Sequence, residues 1–402
     1  MKAVGLVVEY NPFHNGHAHH LAAAKEQSGA EVVIAVMSGN FLQRGEPAIV
    51  SKWQRTKMAL HGGVDIVLEL PYIFATQKAE TFSDGAVSIL DAIGCNSLCF
   101  GSENGDISNF YKTVAFMENS QESYQANIRK YIKTGVSYPK AQSLSFAEIN
   151  QSEELVDLSK PNNILGYHYL KAIICQKSLM RPFTVKRKNA DYHDEHFSSE
   201  RIASATSIRK ALFSSVQQEV SIDRFVPAQT NYLLTDYFKK YGIFHQWENY
   251  YPYLQFLLLQ SKPNELREIY EVEEGIENRL IKAALSSNCF QEFMETVKTK
   301  RYTWTRIQRI CLHILTNTKK SQMIFEKPTY LRLLGMTENG KRYLNKMKAH
   351  LGLPLVSKLS SYKHEDISPD IKAARVYSCV LPGDMRVKSF NQEYKQPPIF
   401  LK

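Results

Sequence analysis

The chain has 402 residues, of which 44% are hydrophobic and 22% charged, a composition typical of a folded globular protein long enough for two domains. No run of about 18 apolar residues occurs, which excludes an apolar membrane-spanning helix, and the amino terminus lacks signal-peptide features. We therefore expect a cytoplasmic protein with no membrane partner. The formal charge of +10 favours a polyanionic partner.

Strand-like and helical segments alternate through the first half of the chain. The strand-like segments lie at residues 4–8, 31–37, 65–70, 97–100 and 181–187. Helical spacing between them indicates right-handed βαβ units. The predicted fold class is therefore α/β, with a Rossmann-like doubly wound parallel sheet whose ligands lie at the carboxyl ends of its strands.

The helical segments suggest how the chain divides into domains. Residues 106–180 carry three helical patterns, so we predict a helical insertion within a first domain at residues 1–222. The alternation stops near residue 223, and residues 223–402 are predicted to form a mainly α-helical second domain. Its possible short strands, at residues 330–334 and 376–381, precede a tail that we expect to be loosely held from residue 386 onward.

The motif His14-Asn15-Gly16-His17 follows the first predicted strand and opens the first predicted helix. A helix start offers unpaired backbone N–H groups and a positive dipole end, which together bind phosphate. The glycine permits close approach of a ligand, and the two imidazoles are spaced so that both can face one phosphate. The motif therefore predicts a nucleotide triphosphate site, although a glycine turn with two surface histidines has the same pattern.

Three further stretches have the chemistry of a phosphate site. Ser204, Thr206 and Arg209 lie at a second predicted helix start, which is otherwise typical of an ordinary capped helix. Gly101 ends a strand where a base or ribose would lie, or marks a simple turn. Arg187 follows another strand and would neutralise phosphate charge, unless its basic cluster is only solvated.

Metal binding is not predicted. The six cysteines are scattered, and Cys95 and Cys99 have no second pair to complete a zinc site, so buried thiols are expected. The His-Asp-Glu-His run at residues 193–196 matches no defined ligand spacing.

A basic segment at residues 298–309 interleaves cations with Tyr302 and Trp304. Its cations would contact RNA phosphates while an aromatic ring stacks on an unpaired base. A solvated helix face is the alternative. The candidate tRNA-binding residues are Arg301, Arg306 and Arg309.

Taken together, residues 7–17, 37–47, 100–103, 161–166 and 301–303 resemble the tRNA(Met) cytidine acetate ligase family, within the nucleotidylyltransferase superfamily. The resemblance runs over nearly the whole chain. It implies an enzyme that activates acetate with ATP to acetyl-adenylate and then acetylates N4 of the wobble cytidine of elongator tRNA(Met). It also implies the nucleotidylyltransferase fold, with ATP bound in the first domain and tRNA in the second.

The resemblance also implies roles for individual residues. His14 and His17 would be catalytic, Ser204, Thr206 and Arg209 would hold the departing pyrophosphate, and Mg²⁺ would bridge the phosphates. The residues expected to bind ATP are Val7, Val8, Glu9, Tyr10, Asn11, Pro12, Phe13, His14, Asn15, Gly16, His17, Ala18, His19, His20, Gly101, Asn162, Arg187, Ser204, Thr206 and Arg209.

Two other functions are consistent with the same motifs. One is an adenylyltransferase that transfers AMP to a small phosphorylated metabolite, and the other is a non-catalytic nucleotide- and RNA-binding protein. Nothing in composition or spacing selects acetate as the acid, and the loop at residues 40–46 is a candidate acceptor site. The chain is expected to be a monomer or a homodimer.

Overall fold

The computed structural model describes residues 1–150, 152, 154–187, 203–214, 221–324 and 326–402. The fold is built around one eight-stranded sheet. The strands are β1 (Ala3–Val8), β2 (Val32–Ser38), β3 (Ile66–Leu70), β4 (Ser97–Ser102), β5 (Arg181–Lys186), β6 (Leu331–Thr337), β7 (Leu355–Val356) and β8 (Ile399–Leu401). Across the sheet they run in the order β5, β4, β1, β2, β3, β6 and β7, and β8 also pairs with β6.

The first five strands are mutually parallel, as the alternation of strands and helices predicts. From β1 the chain builds outward to β2 and β3, and then returns to the other side of β1 with β4 and β5. The direction of winding therefore reverses between β1 and β4. In doubly wound sheets the ligand crevice lies at such a reversal, outside the carboxyl ends of the strands.

Helices cover both faces of the sheet. In chain order they are α1 (Asn15–Ser28), α2 (Lys52–His61), α3 (Tyr72–Ala75), α4 (Ala79–Ala92), α5 (Ile107–Asn119), α6 (Gln121–Lys133), α7 (Tyr138–Ile149), α8 (Pro161–Cys175), α9 (Ala205–Ser214), α10 (Ala228–Tyr241), α11 (Trp247–Gln260), α12 (Pro263–Arg267), α13 (Ile276–Ala284), α14 (Phe290–Val297), α15 (Trp304–Leu315), α16 (Glu338–Met347), α17 (Ser368–Ser378), α18 (Gly383–Phe390) and α19 (Gln392–Lys395). Helices α5 to α8 occupy the region where the sequence predicts a helical insertion.

Alternating side chains of the central strands supply two cores, one on each face. On β2, Ile34 and Val36 join one core, whereas Val33 and Ala35 join the other. The first core also contains side chains of α4 and α8 together with those of α11, α13, α14 and α15. Helices from the two halves of the sequence therefore bury their apolar faces in a common core.

The carboxyl-terminal half also adds strands to the sheet. Strand β6, which confirms the short strand expected at residues 330–334, runs antiparallel to β3. The strand expected at residues 376–381 is wrong, because α17 extends to Ser378. Ala373 and Tyr377, four residues apart on that helix, both pack into the first core, which fits helical periodicity.

The expectation of a loosely held tail is wrong as well. The tail forms α18, α19 and β8, and Glu393 is only 4% exposed. The Lys52 Nζ atom lies 2.7 Å from a carboxylate oxygen of Glu393 and 2.7 Å from one of Glu69. Burial alone lowers the pKa of Lys52, but these two carboxylates raise it above its ordinary value, so the ammonium stays charged. The tail is thus fixed through a buried ion cluster.

We expect Lys52→Met to lower the free energy of unfolding by about 3–5 kcal/mol, because two buried carboxylates then lack their cation. Urea denaturation measures this change. The control Lys57→Met alters an exposed lysine on the same helix and should shift stability by about 0.5 kcal/mol or less. Equal stability of the two variants would contradict a structural role for the cluster.

Candidate active site

The junction between β1 and α1 places two histidines at a helix start. His14 is the N-cap residue of α1, and its Nδ1 atom accepts a hydrogen bond from the Gly16 N–H at 3.1 Å. The His17 Nδ1 atom accepts in turn from the His14 N–H at 3.3 Å. Because both Nδ1 atoms are acceptors, the neutral rings carry their protons on Nε2. Each ring can therefore donate one hydrogen bond away from the backbone.

The two imidazoles are stacked, with ring centroids 3.7 Å apart and an interplanar angle of 26°. Burial, reinforced by the guanidinium groups of Arg187 and Arg209, lowers the pKa of His14 to about 3. Burial also lowers the pKa of His17 well below its ordinary value, and the adjacent His14 adds to that effect. The pair therefore supplies neutral N–H donors rather than cations at neutral pH.

A second wall of the site is formed by the start of α9. The Arg209 guanidinium donates to the Asn11 carbonyl oxygen at 3.0 Å and lies 3.4 Å from Glu46. The Ser204 hydroxyl oxygen accepts from the Ser207 N–H at 3.0 Å, so it caps this helix. Thr206 lies 3.4 Å from the same guanidinium. Arg209 thus links the β1–α1 junction to the second helix start.

A third wall comes from β4, β5 and α8. Glu103 accepts hydrogen bonds from the Asn162 side chain at 2.7 Å and from the Asn163 N–H at 2.8 Å. The Asn162 side-chain Oδ1 atom accepts from Arg187 at 3.4 Å. Glu103, which follows Gly101 closely in the sequence, therefore orients Asn162, which in turn binds Arg187.

These three walls enclose a cavity of about 270 Å³ at the reversal point between β1 and β4. Most of the residues predicted to bind ATP line it, and they are Val7, Val8, Glu9, Tyr10, Asn11, His14, Gly16, His17, His19, His20, Gly101, Asn162, Arg187, Ser204, Thr206 and Arg209. Pro12, Phe13, Asn15 and Ala18 from the same stretch do not line it. Phe13 is buried under the motif, and Asn15 donates to the Arg224 carbonyl oxygen.

The cavity also has an apolar side, which sequence reasoning missed in part. Phe82, Leu165 and Tyr169 line this side, together with Phe100 from the end of β4. A signal existed for two of them, because Leu165 and Tyr169 follow Asn162 at spacings that share one helical face. Phe82 is brought in only by the packing of α4. Such a mixture of apolar walls and convergent polar groups is typical of small-molecule sites.

The loop at residues 42–46 connects this cavity to the carboxyl-terminal half. The Glu9 carboxylate accepts from the Gln43 N–H at 2.9 Å, and the Gln43 side chain donates to the Gln77 carbonyl oxygen at 2.7 Å. Gly45, at φ +81°, packs so closely on α15 that a Cβ there would lie 2.6 Å from the backbone nitrogen of Arg309. Glycine is therefore required at this contact by both backbone conformation and space.

The three arginines predicted to bind tRNA are placed differently from one another. Arg309 forms hydrogen bonds from two nitrogens to Glu271, the shortest of 2.7 Å, and its side chain is only 10% exposed. Arg306 pairs with Glu273 at 3.1 Å and lies over the Tyr302 ring. Arg301 is exposed and lies 3.5 Å from Glu274. Arg309 is thus held by Glu271 on the face of α15 that contacts the loop at residues 42–46. Of the three arginines, only Arg301 and Arg306 present cations at the surface.

No metal cluster is found in the part of the chain that the structure describes, where no three His, Cys, Asp or Glu side chains come together as ligands. Cys95 and Cys99 are buried free thiols, as expected. The run at residues 193–196 lies outside the described residues. Over the described ranges, no helix combines the length and apolar character needed to cross a bilayer.

Comparison with known proteins relates this site to a family. A model of the HIGH nucleotidyl transferases matches residues 1–393. A tRNA(Met) cytidine acetate ligase of Geobacillus sp. strain WCH70 is 49% identical, over 99% of this chain and 100% of its own. The ligase of the same name from Bacillus subtilis strain 168 is 50% identical, over 99% of this chain and 97% of its own.

Two solved structures share the fold over the full length of both chains. The apo crystal structure of Thermotoga maritima TmcAL is 34% identical with a TM-score of 0.92, and the structure bound with alpha-thio ATP is 34% identical with a TM-score of 0.90. Both the sequence and the architecture therefore agree with the family indicated by the histidine motif. The chain belongs to the HIGH nucleotidyl transferase family and, within it, to the tRNA(Met) cytidine acetate ligases.

Proposed function

We propose that this chain is an ATP-dependent ligase that activates acetate as acetyl-adenylate and acetylates N4 of the wobble cytidine of elongator tRNA(Met), forming N4-acetylcytidine. The observation that carries the proposal is the stacked His14 and His17 pair at the start of α1, in one cavity with Arg187 and Arg209. Helix-start donors, imidazole N–H groups and guanidiniums are suited to a triphosphate. The relatives that carry this activity in their name support it.

In the proposed complex, ATP spans the crevice between the ends of β1 and β4. Its phosphates lie on the start of α1 and the residues His14, His17 and Arg209, while the nucleoside lies toward Gly101 and Asn162. The alpha-thio ATP bound in the Thermotoga protein supports nucleotide binding in this fold. Mg²⁺ enters as part of the ATP substrate, since magnesium commonly binds phosphates with few protein ligands.

In the first step, a carboxylate oxygen of acetate attacks the α-phosphorus. The bond from that phosphorus to the bridging oxygen breaks, and its electron pair leaves with pyrophosphate. The neutral Nε2–H groups of His14 and His17 and the Arg187 guanidinium stabilise the added negative charge, while Arg209 and Thr206 hold the leaving pyrophosphate. Donors that are already oriented in the free protein need no reorganisation when the charge develops.

In the second step, the cytidine amine attacks the carbonyl carbon of acetyl-adenylate. The bond from that carbon to the phosphate oxygen breaks, AMP leaves with the electron pair, and the amine loses a proton. Glu9 is suited to accept this proton, because it lines the cavity and burial raises the pKa of its carboxylate above the ordinary value.

We propose that residues 1–222 perform the chemistry and residues 223–402 bind the tRNA. Arg301 and Arg306 would exchange their exposed glutamate partners for phosphates. Arg309 is left out of the proposed tRNA contacts because Glu271 already engages it. The contact of α15 with the loop at residues 42–46 would link tRNA binding to the acceptor side of the cavity.

We expect His17→Ala to lower the rate of ATP- and acetate-dependent tRNA acetylation by about 100- to 1000-fold, the usual effect of losing one oriented donor. His14→Asn should have a comparable effect while it preserves the helix cap, because the Asn side chain still accepts the Gly16 N–H. Acetyl incorporation into tRNA measures both.

The control for these variants is His61→Ala, which removes an exposed imidazole at the end of α2. It should acetylate tRNA like the parent protein. Parental activity in His17→Ala would contradict the role of the histidine pair.

We also expect His14 and His17 to remain neutral from pH 8 to pH 5.5, because their lowered pKa values place protonation well below this range. NMR of the protein labelled with ¹³C-histidine, assigned with the two variants above, measures their titration. A midpoint near pH 6.5 for His14 would contradict neutral donors.

Replacing Arg301 and Arg306 together by Glu should weaken tRNA binding and reduce its salt dependence by about one unit of log–log slope per lost phosphate contact. Filter binding at several salt concentrations measures both quantities. Acetate-dependent ATP/pyrophosphate exchange should continue, because neither residue lines the cavity. Unchanged tRNA binding and salt dependence would contradict the assignment, whereas loss of exchange together with tRNA binding would indicate misfolding.

A further inference from the structure

A second basic surface lies apart from the ATP cavity and from Arg301 and Arg306. Two adjoining hollows of about 150 and 210 Å³ share Lys240, Tyr241, Gln392 and Gln396 in their walls. Four lysines also line them, and we call this surface the lysine groove. Its lysines are Lys57, Lys240, Lys388 and Lys395. None of the residues that line the groove lines the ATP cavity.

The charge of the groove is not neutralised by the protein itself. All four lysines are exposed, and none forms an ion pair with any residue that the structure describes. Asp236 is the only acidic residue among the described residues that line the two hollows. Four cations against one anion therefore leave a positive surface that needs a polyanionic partner or solvent counterions.

The groove also offers groups other than cations. The Lys240 Nζ atom lies 5.1 Å from the centre of the Tyr241 ring, so a cation and an aromatic face are adjacent. Gln392 and Gln396 add amide donors and acceptors along the wall. Interleaved lysine, tyrosine and amide groups match the phosphates and sugars of RNA.

The buried ion cluster beneath the groove holds its wall in place. Glu393 lies between the groove residues Gln392 and Lys395, and it is bound by Lys52 at 2.7 Å and by the Trp53 indole N–H at 3.3 Å. The Glu393 carbonyl oxygen also accepts from Arg332 at 3.3 Å. The tail that carries two of the lysines is therefore ordered before any partner binds, which lowers the entropic cost of binding.

We propose that the lysine groove binds the phosphate backbone of the RNA substrate, as a contact separate from Arg301 and Arg306. The inference rests on the proposed function, since it takes the acceptor tRNA as the partner. A folded tRNA is much larger than the cavity that takes its reacting base, so it has backbone available for a second surface. The buried Lys52 cluster would then also support RNA binding, because it fixes the part of the tail that forms one wall of the groove.

The test is a triple variant, Lys240→Glu with Lys388→Glu and Lys395→Glu. Its matched control carries the same charge change at three exposed lysines on other helices, Lys25→Glu with Lys282→Glu and Lys346→Glu. Transcribed tRNA(Met) binding is measured from 50 to 200 mM salt, beside acetate-dependent ATP/pyrophosphate exchange. A second triple variant with Gln at the groove positions removes charge without reversing it.

We expect both groove variants to bind tRNA more weakly, with the log–log salt slope reduced by about two to three units, while the control keeps most of its slope. Exchange should be unchanged in all of them. Groove variants that bind like the control would overturn the inference and leave the proposed function standing, and the groove would then need another acidic partner. Absence of tRNA binding by the parent protein would overturn both.

Discussion

The start of α1 at the carboxyl end of β1 is the constraint on which the site depends. A helix that begins there directs its unpaired N–H groups into the crevice where the sheet reverses its winding. The hydrogen bonds of His14 and His17 to backbone N–H groups then fix both tautomers and leave Nε2–H groups for a ligand. One local arrangement thus supplies the position, the orientation and the donors of the proposed phosphate site.

The two halves of the chain are connected at several levels. Helices α11, α13 and α15 share a core with α4 and α8, and β6 extends the sheet beside β3. Two smaller contacts also join the halves: Gly45 packs against the backbone of Arg309, and Glu393 forms an ion pair with Lys52. The carboxyl-terminal half therefore packs against the loop at residues 42–46, and its own tail is fixed by Lys52 of the first half.

The local features of this site could be predicted from the sequence, because they depend on residues that are close together in the chain. The strand before His14, the glycine within the motif and the cap of α9 are each encoded within a few residues. Arg187 and Arg209 were expected beside the histidines, and the cavity contains both.

What sequence reasoning could not supply depends on contacts between distant residues. The pattern of α15 does not reveal that Glu271 engages Arg309, so the sequence offered all three arginines as equal candidates for tRNA contact. Phe82 enters the cavity through packing alone. The tail looked loosely held because Glu393, one of its anchors, finds its cation 341 positions away in Lys52. Such a partner leaves no periodicity in the tail itself.

The central claim is that this fold activates a carboxylic acid as an adenylate. Its most direct test is ATP/pyrophosphate exchange with and without acetate, in the absence of RNA. The account predicts exchange that requires acetate and needs no tRNA, since the first step uses only groups that line the cavity. No exchange with acetate, while ATP still binds, would contradict it and favour an adenylyltransferase or a non-catalytic nucleotide-binding protein.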